Sequence, residues 1–208
     1  LSSECYIEKL VEFNNKYINN LIDITNKVSE IDVIKSCAKS AIIYNYKKPK
    51  IILDNSSSYI KAEKIRHPII ERINSEIEYI PNDIKLGIEE QNGILLYSVN
   101  AAGKSSLMKS VGINVIMAQA GMYVSADSFE FKPYKSIFTR ISNNDNLFKG
   151  QSTFAVEMSE LRGILTRANK SSLVLGDELC SGTETFSALS IVSQSLVVDR
   201  STHSIYSF

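Results

Sequence analysis

The residues best suited to chemistry lie at positions 98–106, where the sequence reads Ser-Val-Asn-Ala-Ala-Gly-Lys-Ser-Ser. This segment, called the phosphate loop below, follows the apolar run Gly93–Tyr97 and precedes a helical pattern, the setting that a phosphate-binding loop requires. Successive backbone N–H groups in such a loop, with the positive end of the helix, surround a β-phosphate. Lys104 would neutralise the β- and γ-phosphates, and the Ser105 hydroxyl would hold Mg²⁺.

Two positions decide how closely the phosphate loop could approach an anion. We expect Gly103 to be required because a side chain there would block the backbone. Ser98 stands where the usual pattern begins with Gly. A Ser fits there if its backbone avoids the left-handed region, or at a strain of about 1 kcal/mol or more. An ordinary Gly-Lys turn at a helix start is the alternative, and the strand–loop–helix context favours phosphate binding over it.

Two adjacent carboxylates, Asp177 and Glu178, end the apolar run Leu173–Leu175. Adjacent residues on a strand face opposite ways, so the two acids can serve different roles. Asp177 can reach the Mg²⁺ shell, and Glu178 can orient and deprotonate a water aimed at the γ-phosphate. The alternative interpretation is that the two acids simply mark a solvated strand end. The phosphate loop earlier in the chain favours a functional role over this alternative.

Two further stretches, 149–154 and 181–185, place small hydroxyl residues next to a Gly at a helix start. Such geometry can donate hydrogen bonds to an anion. A pair of capped helices explains these residues equally well.

Composition limits the function classes. The chain has 208 residues, 44% of them apolar and 22% charged, which is typical of a globular domain. Its 23 basic and 23 acidic residues balance, which excludes a uniformly basic nucleic-acid coat. Three scattered cysteines form neither a disulfide framework nor a zinc site and indicate a reducing, intracellular setting. No apolar run approaches the roughly 20 residues of a membrane span.

The secondary structure predicted to position these groups changes along the chain, from helix alone to alternating strands and helices. Residues 1–43 are helical in pattern, and we interpret them as a packed pair of helices with a solvated polar face. Strands are predicted at 49–53, 69–70, 77–80, 93–97, 171–175 and from 205 onward. Helices are predicted at 104–120, closed by Gly121, and at 186–198. The run 93–97 is typical of a strand in the middle of a parallel sheet.

This alternation predicts an α/β fold with a mixed, largely parallel sheet, preceded by a helical segment. The chain begins at Leu1 and ends in an apolar run, from which we expect a fragment of a longer protein.

Taken together, these residues resemble the ATPase domain of the MutS DNA mismatch-repair family. The similarity runs from about residue 28 to the end, in the family's order and spacing. The matching residues are 30–33, 45–46, 66–68, 79–83, 100, 103–106, 119–121, 123–124, 137–140, 152–154, 157–158, 177–178 and 182–183.

The resemblance implies an ABC-type P-loop fold, with ATP held between two subunits of a homodimer or heterodimer. By position, Lys104 and Glu178 are the catalytic residues, and Ser105 and Asp177 support Mg²⁺. Tyr79 matches the aromatic residue that stacks on adenine, and Ser152 matches the serine that reaches the nucleotide of the other subunit. The predicted ATP-binding residues are Asn100, Ala101, Ala102, Gly103, Lys104, Ser105, Ser106, Tyr79, Ile80 and Ser152.

The resemblance also divides the chain. Residues 1–43 match a lever that connects to a DNA clamp, and residues 44–208 match an ATPase domain truncated at its C-terminus. The family's switch histidine is expected just past Phe208, so that His203 is not it. Double-stranded DNA would be bound through the missing clamp and mismatch domains, and no membrane would be involved.

The sequence departs from the family pattern at several positions. Ser98-Val99 replace Gly-Pro, Ala102 replaces Gly, and Cys180-Ser181 replace Gly-Arg. Other positions look more like the divergent branch of giant viruses and octocoral mitochondria; they are 96–97, 100–101, 105–106 and 184.

The sequence therefore predicts an ATP-hydrolysing module of a MutS-like protein. A nucleotide-binding assembly module with a degenerate phosphate loop and little hydrolysis is the alternative, motivated by Ser98 and Ala102. A chromosome-maintenance ATPase of the coiled-coil class would require long heptad segments, and residues 106–152 contain none.

Overall fold

Two four-stranded sheets and four helices make up the part of the chain that the computed structural model describes. It describes residues 2–54, 57–73, 78–88, 91–99, 102–140, 153–177 and 202–207. The elements are α1 (Ser2–Ile43), β1 (Lys50–Ile51), β2 (Tyr59–Ile65), α2 (Ile70–Ile73), β3 (Asn82–Leu86), β4 (Gly93–Leu96), α3 (Lys104–Gln119), β5 (Ser128–Lys132), β6 (Ser136–Arg140), α4 (Thr153–Arg167), β7 (Ser172–Gly176) and β8 (His203–Ser207). The chain divides into two units, Leu1–Asn45 and Tyr46–Phe208.

The first unit is dominated by α1, one continuous helix of 42 residues. The predicted pair of helices is therefore wrong. Because the first Pro is Pro49 and no Gly precedes it, nothing in the sequence interrupts the backbone hydrogen bonds of the helix. No helix among the described residues combines the length and the apolar character that a membrane crossing needs.

In the second unit, one sheet has the strand order β4-β8-β7-β6, and all its neighbouring strands are parallel. The predicted α/β class with a parallel sheet is confirmed. Strands β7 and β8 are fully buried, as expected for the centre of such a sheet. Among the described strands, β4 lies instead at the end of the order, with Leu95 54% exposed. Its predicted central place is wrong, because β7 and β8, from much later in the chain, occupy the two central positions.

A second sheet, of order β1-β5-β2-β3, is mixed: β1 and β5 are parallel, whereas β2 is antiparallel to β5 and β3. The described strands thus form two sheets instead of one mixed sheet. On β2, buried Ile60 and Ala62 alternate with exposed Lys61 and Glu63, the pattern of a strand with one solvated face. Strands β2, β3 and β5, and β6 of the parallel sheet, were not predicted from the sequence.

The strand predicted at Ile69–Ile70 is wrong, since this segment begins α2. The ring of His67 explains the difference: its Nδ1 accepts hydrogen bonds from the backbone N–H groups of Ile69 and Ile70, both at 3.3 Å. These bonds satisfy N–H groups that the first turn of a helix leaves free. The strand predicted at 77–80 is also absent over its described residues, 78–80.

Helix α3 connects both sheets, and its predicted bounds agree with the structure. It packs on β7 and β8, and the core it enters includes residues of both sheets. A Cβ at Gly112 would lie 2.6 Å from a methyl carbon of Leu175, so the helix approaches β7 as closely as a glycine permits. The helix predicted at 186–198 lies outside the described residues.

Two side-chain amides fix α3 in place. Asn114, which is buried, accepts hydrogen bonds at Oδ1 from the backbone and hydroxyl of Ser125, and its Nδ2 donates to the Arg66 carbonyl at 3.0 Å. At the last turn, Gln119 exchanges two hydrogen bonds with the Tyr134 backbone, at 2.8 and 3.2 Å. Because satisfied buried polar networks are rigid, Asn114 holds the middle of α3 in a defined position.

Candidate functional site

The candidate site lies at the carboxyl edge of the parallel sheet. Strand β4 leads into the phosphate loop, β7 leads into Asp177, and β8 ends at Ser207. The register pairs Leu96 with Ser207 and Gly176 with Tyr206, which brings the three strand ends level. Ligands of open α/β sheets bind at this edge.

The phosphate loop enters α3 through a left-handed residue. Gly103 is the N-cap, with φ 94° and ψ 9°, and no side chain caps this end of the helix. The first helical turn begins with the Leu107 N–H donating to the Gly103 carbonyl at 2.9 Å. A Cβ at Gly103 would meet no atom within 4 Å among the described residues, so the expected steric block is not what the structure shows there. The backbone conformation itself requires glycine.

Ser98 fits the loop without left-handed strain. The described non-glycine residues with positive φ are Asn45 and Lys64. The Ser98 backbone therefore avoids the left-handed region, as a serine in place of the usual glycine requires. Further along, the Ala102 N–H donates to the Val99 carbonyl at 3.3 Å. Ser98 and Ala102 therefore both replace the usual glycines without a left-handed backbone.

Lys104 folds back over the start of the phosphate loop. Its Nζ donates to the Ser98 carbonyl at 2.5 Å and to the Val99 carbonyl at 3.3 Å. An ammonium group has three protons to donate, so a phosphate oxygen can join these two carbonyl oxygens around it. The lysine is thus held at the mouth of the loop that it would serve.

Ser105 and Asp177 lie together although 72 positions separate them in the chain. The Ser105 hydroxyl donates to Asp177 Oδ1 at 2.9 Å. Both side chains are half-buried, and the Asp177 N–H donates to the Arg140 carbonyl at 2.8 Å, which anchors the acid to the end of β6. The oxygen ligands proposed from sequence therefore meet at one point of the sheet edge.

This pair of ligands fits Mg²⁺. The ion prefers oxygen and is usually held by one or two protein groups, with waters and substrate phosphates completing its coordination. A hydroxyl and a carboxylate in direct contact provide the number of protein ligands that such a coordination shell needs. Over the described ranges, no group of three or more His, Cys, Asp or Glu could hold a metal, so a magnesium site here would need the phosphates.

Tyr79 lies beside the same helix, half-buried, whereas Ile80 is 79% exposed. Burial raises the pKa of Tyr79, and its hydroxyl interacts with the Ser110 side chain and the His67 backbone. Ser110 lies six residues beyond Lys104 on α3, which corresponds to about 9 Å along the axis. The Tyr79 hydroxyl therefore lies beyond the first turn of α3, counted along the helix from Lys104.

The remaining predicted residues divide into two groups. Ala102 is exposed and Ser106 half-buried at the start of α3. The others lie outside the described residues; they are Asn100, Ala101, Ser152 and Glu178. The stretch 181–185 lies there too, whereas Thr153 is the first residue of α4, in agreement with the helix start predicted within 149–154.

Sequence analysis missed Ser207 as a candidate site residue. Its hydroxyl donates to Asp177 Oδ1, the same oxygen that Ser105 contacts. No motif marks this residue, and the signal that could have found it is its place at the end of a third parallel strand. His203, at the other end of β8, is buried against the ring of Tyr134, away from the sheet's carboxyl edge.

The chain is similar to known proteins along most of its length. Residues 94–205 match the family model of MutS domain V. The mitochondrial DNA mismatch repair protein mutS homolog of Sarcophyton glaucum is 42% identical over 196 residues, covering 93% of this chain and 20% of that protein. A mutS homolog of Acanthamoeba polyphaga mimivirus is 43% identical over 227 residues, covering 92% and 20%.

A bacterial relative extends the comparison. The DNA mismatch repair protein MutS of Petrotoga mobilis is 38% identical over 184 residues, which cover 88% of this chain and 22% of that protein. The chain thus spans about one fifth of the length of the curated relatives it matches.

Proposed function

Because the chain belongs to the MutS family, we propose that it binds ATP with Mg²⁺ and hydrolyses it as the nucleotide-binding part of a DNA mismatch repair protein. The resemblance identified from sequence is confirmed by the match to MutS domain V and by the relatives described above. The proposed fold is the ABC-type nucleotide-binding fold, with residues 44–208 as the ATPase domain and residues 1–43 as the lever.

One observation carries the proposal: the contact between Ser105 and Asp177 at 2.9 Å. A Gly-Lys-Ser sequence or an acid at a strand end is common by itself. Their meeting at the carboxyl edge of a parallel sheet, beside a left-handed Gly103 and an uncapped helix start, is the arrangement that nucleotide binding needs.

Each residue has a part in the proposed reaction. Lys104 and the first N–H groups of α3 bind the phosphates, and Ser105 and Asp177 hold the magnesium complex in place. The ion, when bound, neutralises the charge that develops on the phosphoryl oxygens. Glu178, next to Asp177 in the chain, orients the attacking water and takes its proton.

The proposed coupling needs two subunits. Ser152 reaches the γ-phosphate of the nucleotide bound to the other subunit of a homodimer or heterodimer, so ATP binding closes the pair. The lever passes this closure to a clamp on double-stranded DNA, and hydrolysis resets it. Because binding energy is used to change conformation, we expect slow turnover.

The test compares two carboxylates that each accept hydrogen bonds from two side chains. Asp177→Asn in the intact protein should lower ATP hydrolysis by at least about 100-fold, because the amide is a poorer magnesium ligand. Glu130→Gln is the control: Glu130 accepts from Lys50 at 2.6 Å and Tyr59 at 2.8 Å on the mixed sheet. This variant should hydrolyse ATP at the unaltered rate.

The same assay distinguishes the alternative function. ATP binding by the unaltered protein without measurable hydrolysis would favour the nucleotide-binding assembly module. Equal rates for the Asp177→Asn variant and the unaltered protein would contradict the proposed role of the sheet edge.

A further inference from the structure

Ser207 is placed between the two parts of the candidate site. It ends β8, the strand that lies between β4, which leads to the phosphate loop, and β7, which leads to Asp177. Its side chain is fully buried, at 0% exposure, and its hydroxyl donates to Asp177 Oδ1. A buried hydroxyl that contacts a metal-ligand candidate from a neighbouring strand is positioned to control that group.

Ser105 and Ser207 share one acceptor atom. Both hydroxyls contact Oδ1 of Asp177, and neither contacts Oδ2. When magnesium binds, the Ser105 oxygen has to present a lone pair to the ion, while its proton can still be donated to Asp177. Ser207 lies outside the phosphate loop, so it can hold Oδ1 without also serving the ion.

We propose that Ser207 is a positioning residue for magnesium binding: it fixes Oδ1 of Asp177 from the buried side and leaves Oδ2 available to the ion or its water. This inference rests on the proposed function. A ligand held by an outer hydrogen bond loses less conformational freedom when the metal binds, and such outer partners typically change metal affinity by about 10- to 100-fold.

A purely structural role for Ser207 makes a different prediction. If the hydroxyl only satisfies a buried strand end, its loss destabilises the fold without acting on magnesium in particular. Nucleotide affinity with and without Mg²⁺ therefore separates the two roles, because only the positioning role concerns the metal-dependent part.

The experiment uses Ser207→Ala and Ser207→Cys in the intact protein. Cysteine is close to serine in size but a weak donor, so it preserves packing if the alanine variant fails to fold. A fluorescent ATP analogue is titrated in EDTA and then across a Mg²⁺ series, and bound Mn²⁺ is counted by electron paramagnetic resonance. Ser204→Ala is the matched control, because Ser204 is buried on the same strand but, three residues away, faces the opposite side.

We expect both Ser207 variants to need about tenfold more Mg²⁺ or Mn²⁺ for half-saturation, with unchanged affinity for the analogue in EDTA. Ser204→Ala should match the unaltered protein in both measurements. Unchanged metal half-saturation in the Ser207 variants, beside normal metal-dependent binding by the unaltered protein, would overturn this inference alone. If the unaltered protein binds no nucleotide with or without metal, the proposed function fails and the inference with it.

Discussion

The two sheets of the second unit carry similar polar groups but use them differently. On the parallel sheet, the loop after β4, Asp177 after β7 and Ser207 at the end of β8 meet at one edge. On the mixed sheet, the ion pair Lys50–Glu130 lies across the face of two neighbouring strands, at 2.6 Å. The residues that follow parallel strands converge at one edge of a sheet. Lys50 and Glu130 lie instead within two paired parallel strands, β1 and β5, so that their side chains meet on the face of the sheet.

Two carboxylates show what this difference means. The pKa of Glu130 is lowered by hydrogen bonds from Lys50 and Tyr59, and burial together with the Glu130 contact raises the pKa of Tyr59 to about 12. Glu130 thus has a cation beside it and is paired within the sheet face. Asp177 accepts hydrogen bonds from two neutral hydroxyls. Under the proposed function, this difference in partners separates a carboxylate that stabilises the fold from one that serves a bound ligand.

The largest expected effect tests whether the mixed sheet supports the fold without acting on the site. Phe131 is fully buried on β5, and Phe131→Ala should lower the free energy of unfolding by about 3–5 kcal/mol through the cavity it leaves. Phe131→Leu, the control, should lose less than about 1.5 kcal/mol. Denaturant unfolding measures both, and ATP affinity is measured at low temperature, where the variant stays folded. A loss of ATP affinity in the folded Phe131→Ala variant would contradict the view that the mixed sheet does not act on the site.

A smaller effect separates the phosphate loop from the rest of α3. Gly103 (φ 94°) and Gly121 (φ 80°) flank this helix, and a Cβ at either meets no atom within 4 Å among the described residues. Alanine at each should cost about 1–2 kcal/mol of stability, the price of a left-handed residue. Only Gly103→Ala should also weaken ATP binding, as measured by titration calorimetry. Equal ATP affinity in the two variants would contradict a role for the loop.

The smallest effect near neutral pH concerns the place where the two sheets meet. His203 begins β8, and its Nε2 would lie 2.8 Å from a Cβ at Gly87, the residue after β3. Burial lowers the pKa of His203 below 6.5, so the unfolded chain binds a proton more readily. Stability is therefore full above about pH 6.5 and is lost as the pH falls, by about 1.4 kcal/mol for each unit of pKa lowering.

Thermal unfolding between about pH 5 and pH 8 measures this dependence. The His203→Leu variant should have a shallower fall in melting temperature on acidification. Some dependence should persist, because burial lowers the pKa of His67 as well. An unchanged slope in the variant would show that His203 does not titrate at this junction.

Local patterns were sufficient for several elements of the site. The helix over residues 104–119, its closing Gly121, and the buried strand before Asp177 follow from hydrophobic periodicity and glycine placement. Failures occurred where the hydrophobic pattern is overruled by a particular side-chain contact or by the order of the strands. The pair Ile69–Ile70 predicts a strand, but the ring of His67 accepts hydrogen bonds from their N–H groups at the start of a helix. The run 93–97 predicts a central strand, but β8 and β7 occupy the central positions of the sheet.

The sequence by itself determined which side chains are available for chemistry: a glycine before a lysine and a serine at a helix start, and an acid after a buried strand. Those choices depend on residue type and on neighbours within one turn or one strand. Tertiary structure decided which groups meet, since only the order β4-β8-β7 places the Ser105 and Ser207 hydroxyls on one oxygen of Asp177. Strand order is set by burial over the whole core, and a strand-end serine has no local pattern that reveals its neighbours.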